Sequence, residues 1–260
     1  MLQDDIVNDL LSWLESHLDL PLLLDNVAAK SGYSKWHLQR MFKAVTGHVL
    51  GAYIRTRRLS KAAVALRLTN QPILDIALQY RFDSQQSFTR AFKRHFAQTP
   101  ALYRRDEDWN SFGICPPICL GAFTLPEPEF INWPEMHLVC LTRSYSCTLE
   151  KIQIFHSEPR SQFWHQYLGA IDTLTPHHVL GKEQKGQSLV LRGGEYAMFS
   201  YEGPTSGLQD FILMLYDTCL PALKLTRRKG YDIERIHPWD DRQTQPPRKI
   251  SCDYLIPILR

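Results

Sequence analysis

The first 114 residues of this 260-residue chain contain no cysteine. All six cysteines lie beyond them, at Cys115, Cys119, Cys140, Cys147, Cys219 and Cys252. The nearest pair, Cys115-Pro116-Pro117-Ile118-Cys119, has a metal-like spacing but no second pair or histidine at matching distance, so no metal site is expected. In a reducing compartment these read as free thiols, several of them buried on strands. Also missing is any apolar run near the roughly 18 residues of a membrane helix. Met1-Leu2-Gln3-Asp4-Asp5 lacks the basic start of a secretory signal. The chain is therefore expected in the cytoplasm, with no membrane partner.

Signatures of catalysis are absent as well. No Gly-x-Gly-x-x-Gly follows a strand, and there is no phosphate loop, Gly-x-Ser-x-Gly or His-Glu-x-x-His. His177-His178 stands without a partner at useful spacing. The chain is thus read as a binding protein and not an enzyme, with no catalytic residue and no cofactor.

What the chain does contain is unevenly spread charge. Residues 1–105 carry 15 Lys and Arg against 8 Asp and Glu, a net of +7; the remainder carries 15 against 19, a net of −4, giving the overall +3. A basic half of this kind is the electrostatic footprint of phosphate binding. The length accommodates two domains, each with its own core, and the 44% hydrophobic and 22% charged fractions are those of a globular protein.

The basic half contains a repeat. Ser34-Lys35-Trp36-His37-Leu38-Gln39-Arg40-Met41-Phe42-Lys43 is echoed 50 residues later by Ser84-Gln85-Gln86-Ser87-Phe88-Thr89-Arg90-Ala91-Phe92-Lys93. Upstream, Val27-Ala28 matches Ile76-Ala77 and Tyr33 matches Phe82 at an offset of 49. Each unit reads as a short apolar helix, a tight turn, and a second helix capped by its serine, which is the helix-turn-helix pattern. On the second helix Leu38, Met41 and Phe42, or Phe88, Ala91 and Phe92, form an apolar stripe at i, i+3 and i+4. Trp36, Gln39, Arg40 and Lys43, or Gln85, Gln86, Thr89, Arg90 and Lys93, are left on the outer face. Arg suits guanine, Gln suits adenine, and an aromatic or methyl group packs on thymine. One such face alone is as readily a solvated helix surface; two at a fixed spacing favour double-stranded DNA.

Around these helices the chain reads simply. Residues 5–19 make a supporting helix, Asp25 can cap a helix through Lys30, and Gly32 serves the first turn. Residues 49–68 form a longer helix with Tyr53, Leu59, Ala62, Ala63 and Leu66 as its buried side. Its Arg55, Arg57, Arg58 and Lys61 make a basic cluster suited to the phosphate backbone, or equally an ordinary solvated charge run. A continuous helix here would fix the two units at one separation, and about 34 Å would place them in successive major grooves. Residues 73–80 open the second unit, Arg81-Phe82-Asp83 is its turn, and residues 97–105 close the domain.

The spacing of Arg58-Leu59, Ile73-Leu74-Asp75-Ile76-Ala77, Phe82, Phe88, Phe92-Lys93 and Phe96 to Thr99-Pro100 resembles the AraC/XylS family of transcription activators. The segment Tyr33 to Lys43, with Gly47-His48 and Ser84-Gln85-Gln86, is similar to its MarA, SoxS and Rob branch. That resemblance implies a monomer that bends an asymmetric DNA site and recruits RNA polymerase to stress-response and efflux promoters. It assigns base reading to Trp36, Gln39, Arg40, Gln85, Gln86 and Arg90, leaving Lys35, Lys43, Arg55, Arg57, Arg58, Lys61, Thr89 and Lys93 for the backbone. Ser87 stands where close relatives often carry Thr, one methyl fewer on that face.

Beyond residue 105, Asp106-Glu107-Asp108-Trp109 reads as a polar hinge within a linker, 106–119, and residues 120–260 as a second domain. Residues 138–141 form a short buried strand and 148–169 a helix interrupted at Pro159. Residues 193–203 are a turn and a strand with aromatics on both faces. Leu208, Phe211, Ile212, Leu215, Tyr216 and Cys219 make an amphipathic helix, and 232–237 and 250–258 alternate as the last strands. Two strand–helix–strand units imply an α+β domain with helices on one face of an antiparallel sheet. The expected fold is thus multidomain: an all-α domain with two helix-turn-helix units, 1–105, then this α+β domain.

The second half resembles the GyrI-like effector-binding domain. The resemblance implies a cleft for a small amphipathic effector, with Trp133, Tyr145, Trp164, Tyr196, Phe199 and Tyr201 as lining and Glu195, Glu202 or Glu234 as an acidic group. Ordinary core packing is the competing reading for each. Rob-like relatives have a long strand-bearing stretch before the Gly-Gly-Glu-Tyr segment, whereas only residues 177–192 stand there, too few for two strands and a loop. Either a strand is lost or the region is rebuilt. The function expected is transcriptional regulation with effector sensing; the alternatives are a C-terminal half used for protein interaction or storage, and a small-molecule hydrolase.

Overall fold

The computed structural model describes residues 2–121, 124–140, 187–237 and 249–259. They fall into two units, Met1–Leu125 with Met214–Leu225, and Pro126–Leu213 with Thr226–Arg260.

The first unit is helical: α1 (Leu2–Glu15), α2 (Leu24–Ser31), α3 (Lys35–Thr46), α4 (Leu50–Leu68), α5 (Ile73–Gln79), α6 (Gln85–Phe96) and α7 (Pro100–Arg105). Val7, Leu10, Leu11 and Leu14 recur at helical spacing and bury α1 against Leu38, Met41 and Phe42 of α3. In the second helix pair Phe88, Phe92 and Phe96 stack in series, and Tyr103 of α7 closes on the last two at about 5 Å. Offset and edge-on rings at these separations add to the area they bury. Between the pairs α4 packs on α3, α5, α6 and α7. It buries Leu50, Tyr53, Ile54, Leu59, Ala62, Ala63, Val64 and Leu66, positions that encircle the helix, as a central element requires.

The helix ends follow from local chemistry. Ser34 Oγ accepts from the His37 amide at 3.3 Å. Ser84 and Ser87 form a reciprocal capping box, so α3 and α6 both begin on a serine. α3 ends on Gly47 at φ 75°, while α6 ends on Ala97 at φ 60°. The same contrast holds in the turns, with Gly32 at φ 71° in the first and Arg81 at φ 63° in the second. The left-handed region costs a residue with a Cβ roughly 1–2 kcal/mol, so the second unit holds strain that glycine removes from the first. Asp25 does not cap α2: the cap position is Leu23, without a side-chain bond, and the Asp25 carboxylate in the first turn pairs with Lys35.

The segment read as a hinge is packed instead. Trp109, in the two-residue strand β1 (Trp109–Asn110), is buried. Its ring stacks on Tyr216 at 4.8 Å and its Nε1 donates to the Tyr103 hydroxyl at 2.7 Å. Further along, the Cys115 amide donates to Ser60 Oγ at 3.0 Å and the Ile118 amide to the Tyr53 hydroxyl at 3.4 Å, strapping this stretch to α4.

In the second unit β2 (Glu129–Trp133), β5 (Gly194–Pro204) and β8 (Lys249–Leu259) form an antiparallel sheet. β6 (Thr226–Arg227) and β7 (Ile233–Ile236) pair with β8 on its other side. β8 is central and nearly continuously buried. A separate two-stranded antiparallel sheet pairs β3 (Met136–Cys140) with β4 (Gln187–Leu191), so a strand does form within residues 177–192. The expected buried strand at 138 exists as β3, yet Leu138 is 38% exposed. The expected helix at 148–169 lies outside the described residues. From β5 the chain enters α8 (Leu208–Met214), continues through a π-helical turn at Leu215–Cys219, and ends in α9 (Leu220–Ala222). Every residue of the π turn is buried. None of Cys115, Cys119, Cys219 and Cys252 is in a disulfide; Cys252 is buried on a strand and Cys219 on the π turn. No helix among the described residues is long and apolar enough to cross a membrane.

Candidate DNA-binding site

Burying Leu38, Met41 and Phe42 turns the opposite face of α3 outward. Lys35, Trp36, Gln39, Arg40 and Lys43 are all exposed there, Trp36 to 67%. The Trp36 ring is therefore open to contact from outside. The Arg40 guanidinium lies 5.3 Å from the centre of the Trp36 ring, which holds it partly oriented before any partner arrives. Lys35 is engaged with Asp25, an exposed pair of little energetic weight.

α6 repeats the arrangement. Gln85, Gln86, Arg90 and Lys93 are exposed and Thr89 is half-buried, with Gln85, Gln86, Thr89 and Arg90 around one shallow hollow. The structure thus brings each set of base-reading candidates onto one helix face.

The basic cluster of α4 is different. Only Arg55 is exposed. Arg57 is fully buried and bonded to both oxygens of Glu15 at 2.8 Å, to Asp217 at 2.7 and 3.0 Å, and to the Cys115 carbonyl. Lys61 Nζ lies 3.0 Å from Asp217 Oδ2. Burial by itself lowers the proton affinity of the guanidinium, but its hydrogen bonds to Glu15 and the Asp217 charge outweigh this and keep it firmly protonated. Arg58 donates to the carbonyls of Leu18 at 2.8 Å and Leu20 at 2.7 Å, tying the turn that follows α1 to α4. Of the residues read above as backbone contacts, Arg57 is therefore out of reach of a phosphate and serves the fold, Lys61 is paired with Asp217, and Arg58, anchored by main-chain carbonyls, stays half-buried beside an open cleft.

Arg81 and Arg94 were not among the candidates, yet they line one cleft of about 500 Å³ with Arg55, Arg58 and Arg90. The like-charge pair Arg90/Arg94 at i and i+4 was the available signal, since such pairs are unfavourable without a partner.

The effector candidates separate. Side chains alternate along β5, so Tyr196 shares a sheet face with Ile131, Trp133, Met198, Leu255 and Ile233, whereas Phe199 and Tyr201 point to the other. Glu234 stands in register with Tyr254 and so on the Phe199 face. That second face meets the helix that follows, where Tyr201 stacks near Phe211 at 4.9 Å. One cleft cannot take both sets. On the Trp133 face, Arg228 covers Tyr196 at 4.8 Å and Arg235 covers Trp133 at 5.9 Å. Tyr145 and Trp164 lie outside the described residues.

Two capped helix-turn-helix units in one chain, each with an exposed Gln and Arg face, define a double helix-turn-helix regulator. Comparison with known proteins agrees. A helix-turn-helix domain family matches residues 27–106, and a GyrI-like small molecule binding domain family matches residues 151–259. Transcriptional regulator Rob of Salmonella typhimurium and the right origin-binding protein of Escherichia coli strain K12 are each 55% identical to this chain, over 99% of it and 99% of their own length. Those 287 aligned positions exceed the 260 residues here by 27, so the relatives carry residues that this chain lacks. Regulatory protein SoxS of Escherichia coli is 55% identical over 40% of this chain and 97% of its own. The chain belongs to the Rob-like family of AraC-type transcriptional regulators.

Proposed function

We propose that the protein binds an asymmetric duplex site as a monomer, with α3 and α6 in successive major grooves, and there regulates transcription together with RNA polymerase, activating stress-response and efflux promoters. The observation that carries this is the repeat itself: two like faces presented by one chain on either side of a continuous α4. A chain with both faces needs no second copy to span two half-sites. In the base-reading role Trp36, Gln39 and Arg40 act from α3, and Gln85, Gln86 and Arg90 from α6. Lys35, Lys43, Arg55, Thr89 and Lys93 hold the backbone. The protein works in the cytoplasm, by binding and not by catalysis.

The GyrI-like unit takes a small amphipathic effector in this proposal. Of the two sheet faces, the one with Trp133 and Tyr196 is the candidate, because the other is occupied by the chain's own helix. Its ring faces already carry Arg228 and Arg235, so a cationic ligand would meet two guanidinium groups. The face suits a neutral or anionic amphipath better.

The test is titration of the full-length protein onto a selected duplex of about two helical turns, read by mass and by footprint. One protein per duplex with two protected major-groove segments is expected. Two proteins per duplex, or a single protected segment, would overturn the arrangement.

A further inference from the structure

Between α4 and the second helix-turn-helix unit lies a cleft of about 500 Å³ whose walls carry five arginines and a single carboxylate. Gly51, Ile54, Arg55 and Arg58 face it from α4, at i, i+3, i+4 and i+7. Ser87, Arg90, Ala91 and Arg94 face it from α6 with the same spacing, and the turn at residues 80–83 forms the floor. Among the described residues Arg55, Arg81, Arg90 and Arg94 make no ion pair, and the lone Asp83 neutralises none of them. Arg58 and Arg81 are anchored by main-chain carbonyls, Arg58 by those of Leu18 and Leu20 and Arg81 by that of Asp19 at 2.5 Å. Burial, and the charge of Arg81 beside it, depress the Arg58 guanidinium, more than the Asp19 carboxylate offsets. Holding like charges together costs free energy that an anion would recover.

We propose that this cleft is a phosphate-binding site, engaged by the DNA backbone where the duplex passes between the two major grooves. Guanidinium groups match phosphate geometry, and main-chain carbonyls fix two of them, Arg58 and Arg81, in the cleft wall. The backbone is the favoured source of the phosphate because Arg90 belongs both to the cleft and to the hollow formed by Gln85, Gln86 and Thr89. A strand whose bases meet that hollow therefore presents its phosphates at the cleft mouth. Arg81 and Arg94 are the residues this adds to the site. The proposal rests on the DNA-binding reading above for the source of the phosphate, but not for the chemistry of the cleft.

Three variants of the full chain test it. Arg81→Gly removes a cation at φ 63°, where glycine is the easier residue. Arg94→Gln removes another on α6. Gly51→Glu places a carboxylate where an added Cβ meets nothing within 4 Å, in the first turn of α4, where a negative charge favours the helix. Binding to a selected and a random duplex is measured across a salt series. Each neutralised phosphate contributes about 0.9 to the slope of log affinity against log salt. Each arginine variant is expected to lower the slope by about that amount, with equal loss on both duplexes and base preference intact. Gly51→Glu is expected to weaken both equally while keeping the melting temperature.

A second arm uses inorganic pyrophosphate and no DNA. Unchanged salt slopes, with pyrophosphate raising the melting temperature of the natural protein but not of Arg81→Gly, would leave the site standing with a free phosphorylated ligand as its source. Unchanged slopes with no pyrophosphate effect would overturn it. Loss of all DNA binding by the natural protein would sink the DNA-binding reading instead, and the pyrophosphate arm would then judge the cleft alone.

Discussion

Arg57 and Asp217 are 160 residues apart in the chain and form a two-pronged ion pair, Nη1 to Oδ1 at 3.0 Å and Nη2 to Oδ2 at 2.7 Å. Neither is exposed, and Glu15 grips the remaining edge of the same guanidinium. The pair ties α4, the helix between the two recognition helices, to α1 and to the π turn. Its contribution is to position those elements, because a buried pair is itself worth little net stability once desolvation is counted.

Removing one partner is another matter. Arg57→Ala leaves the half-buried Glu15 without its counter-charge and the buried Asp217 with Lys61 alone, and a cost of about 3–5 kcal/mol is expected. Chemical denaturation should show it directly. On the fraction still folded, the salt slope for DNA should stay unchanged, since Arg57 meets no phosphate; a fall of about one unit would return it to the backbone set.

Acid should unpick the same pair. Burial by itself would raise the Asp217 carboxyl, but Arg57 and Lys61 outweigh it and hold the group below the usual carboxylate range. The folded state then binds the proton less readily than the unfolded chain does. The stability contributed is complete above the unfolded value, about pH 4, and is lost as pH falls through the lower folded value. Melting temperature followed from pH 7 down to about pH 2.5 should therefore drop below pH 4. Asp217→Asn should start lower and lose that part of the drop.

Much of this was readable from residues alone. Ser34, Ser84 and Gly47 mark helix ends because capping and left-handed geometry are local. The 50-residue echo let each recognition helix support the other. Arg57 was misread because a long charged side chain in a basic run gives no hint that its partners lie at Glu15 and Asp217. Trp109 followed three acidic residues and looked like a hinge, yet its stacking partner Tyr216 is over a hundred positions away. The division of the aromatic set was legible in principle: Tyr196 and Phe199 are an odd number apart on one strand and so point to opposite faces.

The contrast between Gly47 and Ala97 gives a stability prediction of opposite sign at equivalent positions. Gly47→Ala puts a Cβ into the left-handed region and should cost about 1 kcal/mol, although its Cβ would meet nothing within 4 Å. Ala97→Gly relieves the same strain and should add up to about 1 kcal/mol, less the entropy glycine gives the unfolded chain. Thermal melts of the two variants would check both signs. A loss in both would mean that Ala97 is held by contacts outweighing its backbone strain.

Trp36 and Arg40 separate recognition from folding. Both lie on the exposed face of α3, so Trp36→Ala and Arg40→Ala should move stability by no more than about 0.5 kcal/mol, as for other surface changes. Arg40→Ala should cost about 1–3 kcal/mol of binding at one base position and relax the preference there, while binding to random DNA changes far less. Trp36→Ala adds a further effect, because the ring lies 5.3 Å beneath the Arg40 guanidinium and helps to orient it. The two substitutions should therefore be less than additive on a specific duplex, a coupling that a double-mutant cycle isolates. Strict additivity would mean that the two side chains act on the DNA independently, and equal loss on specific and random DNA would remove Arg40 from base reading.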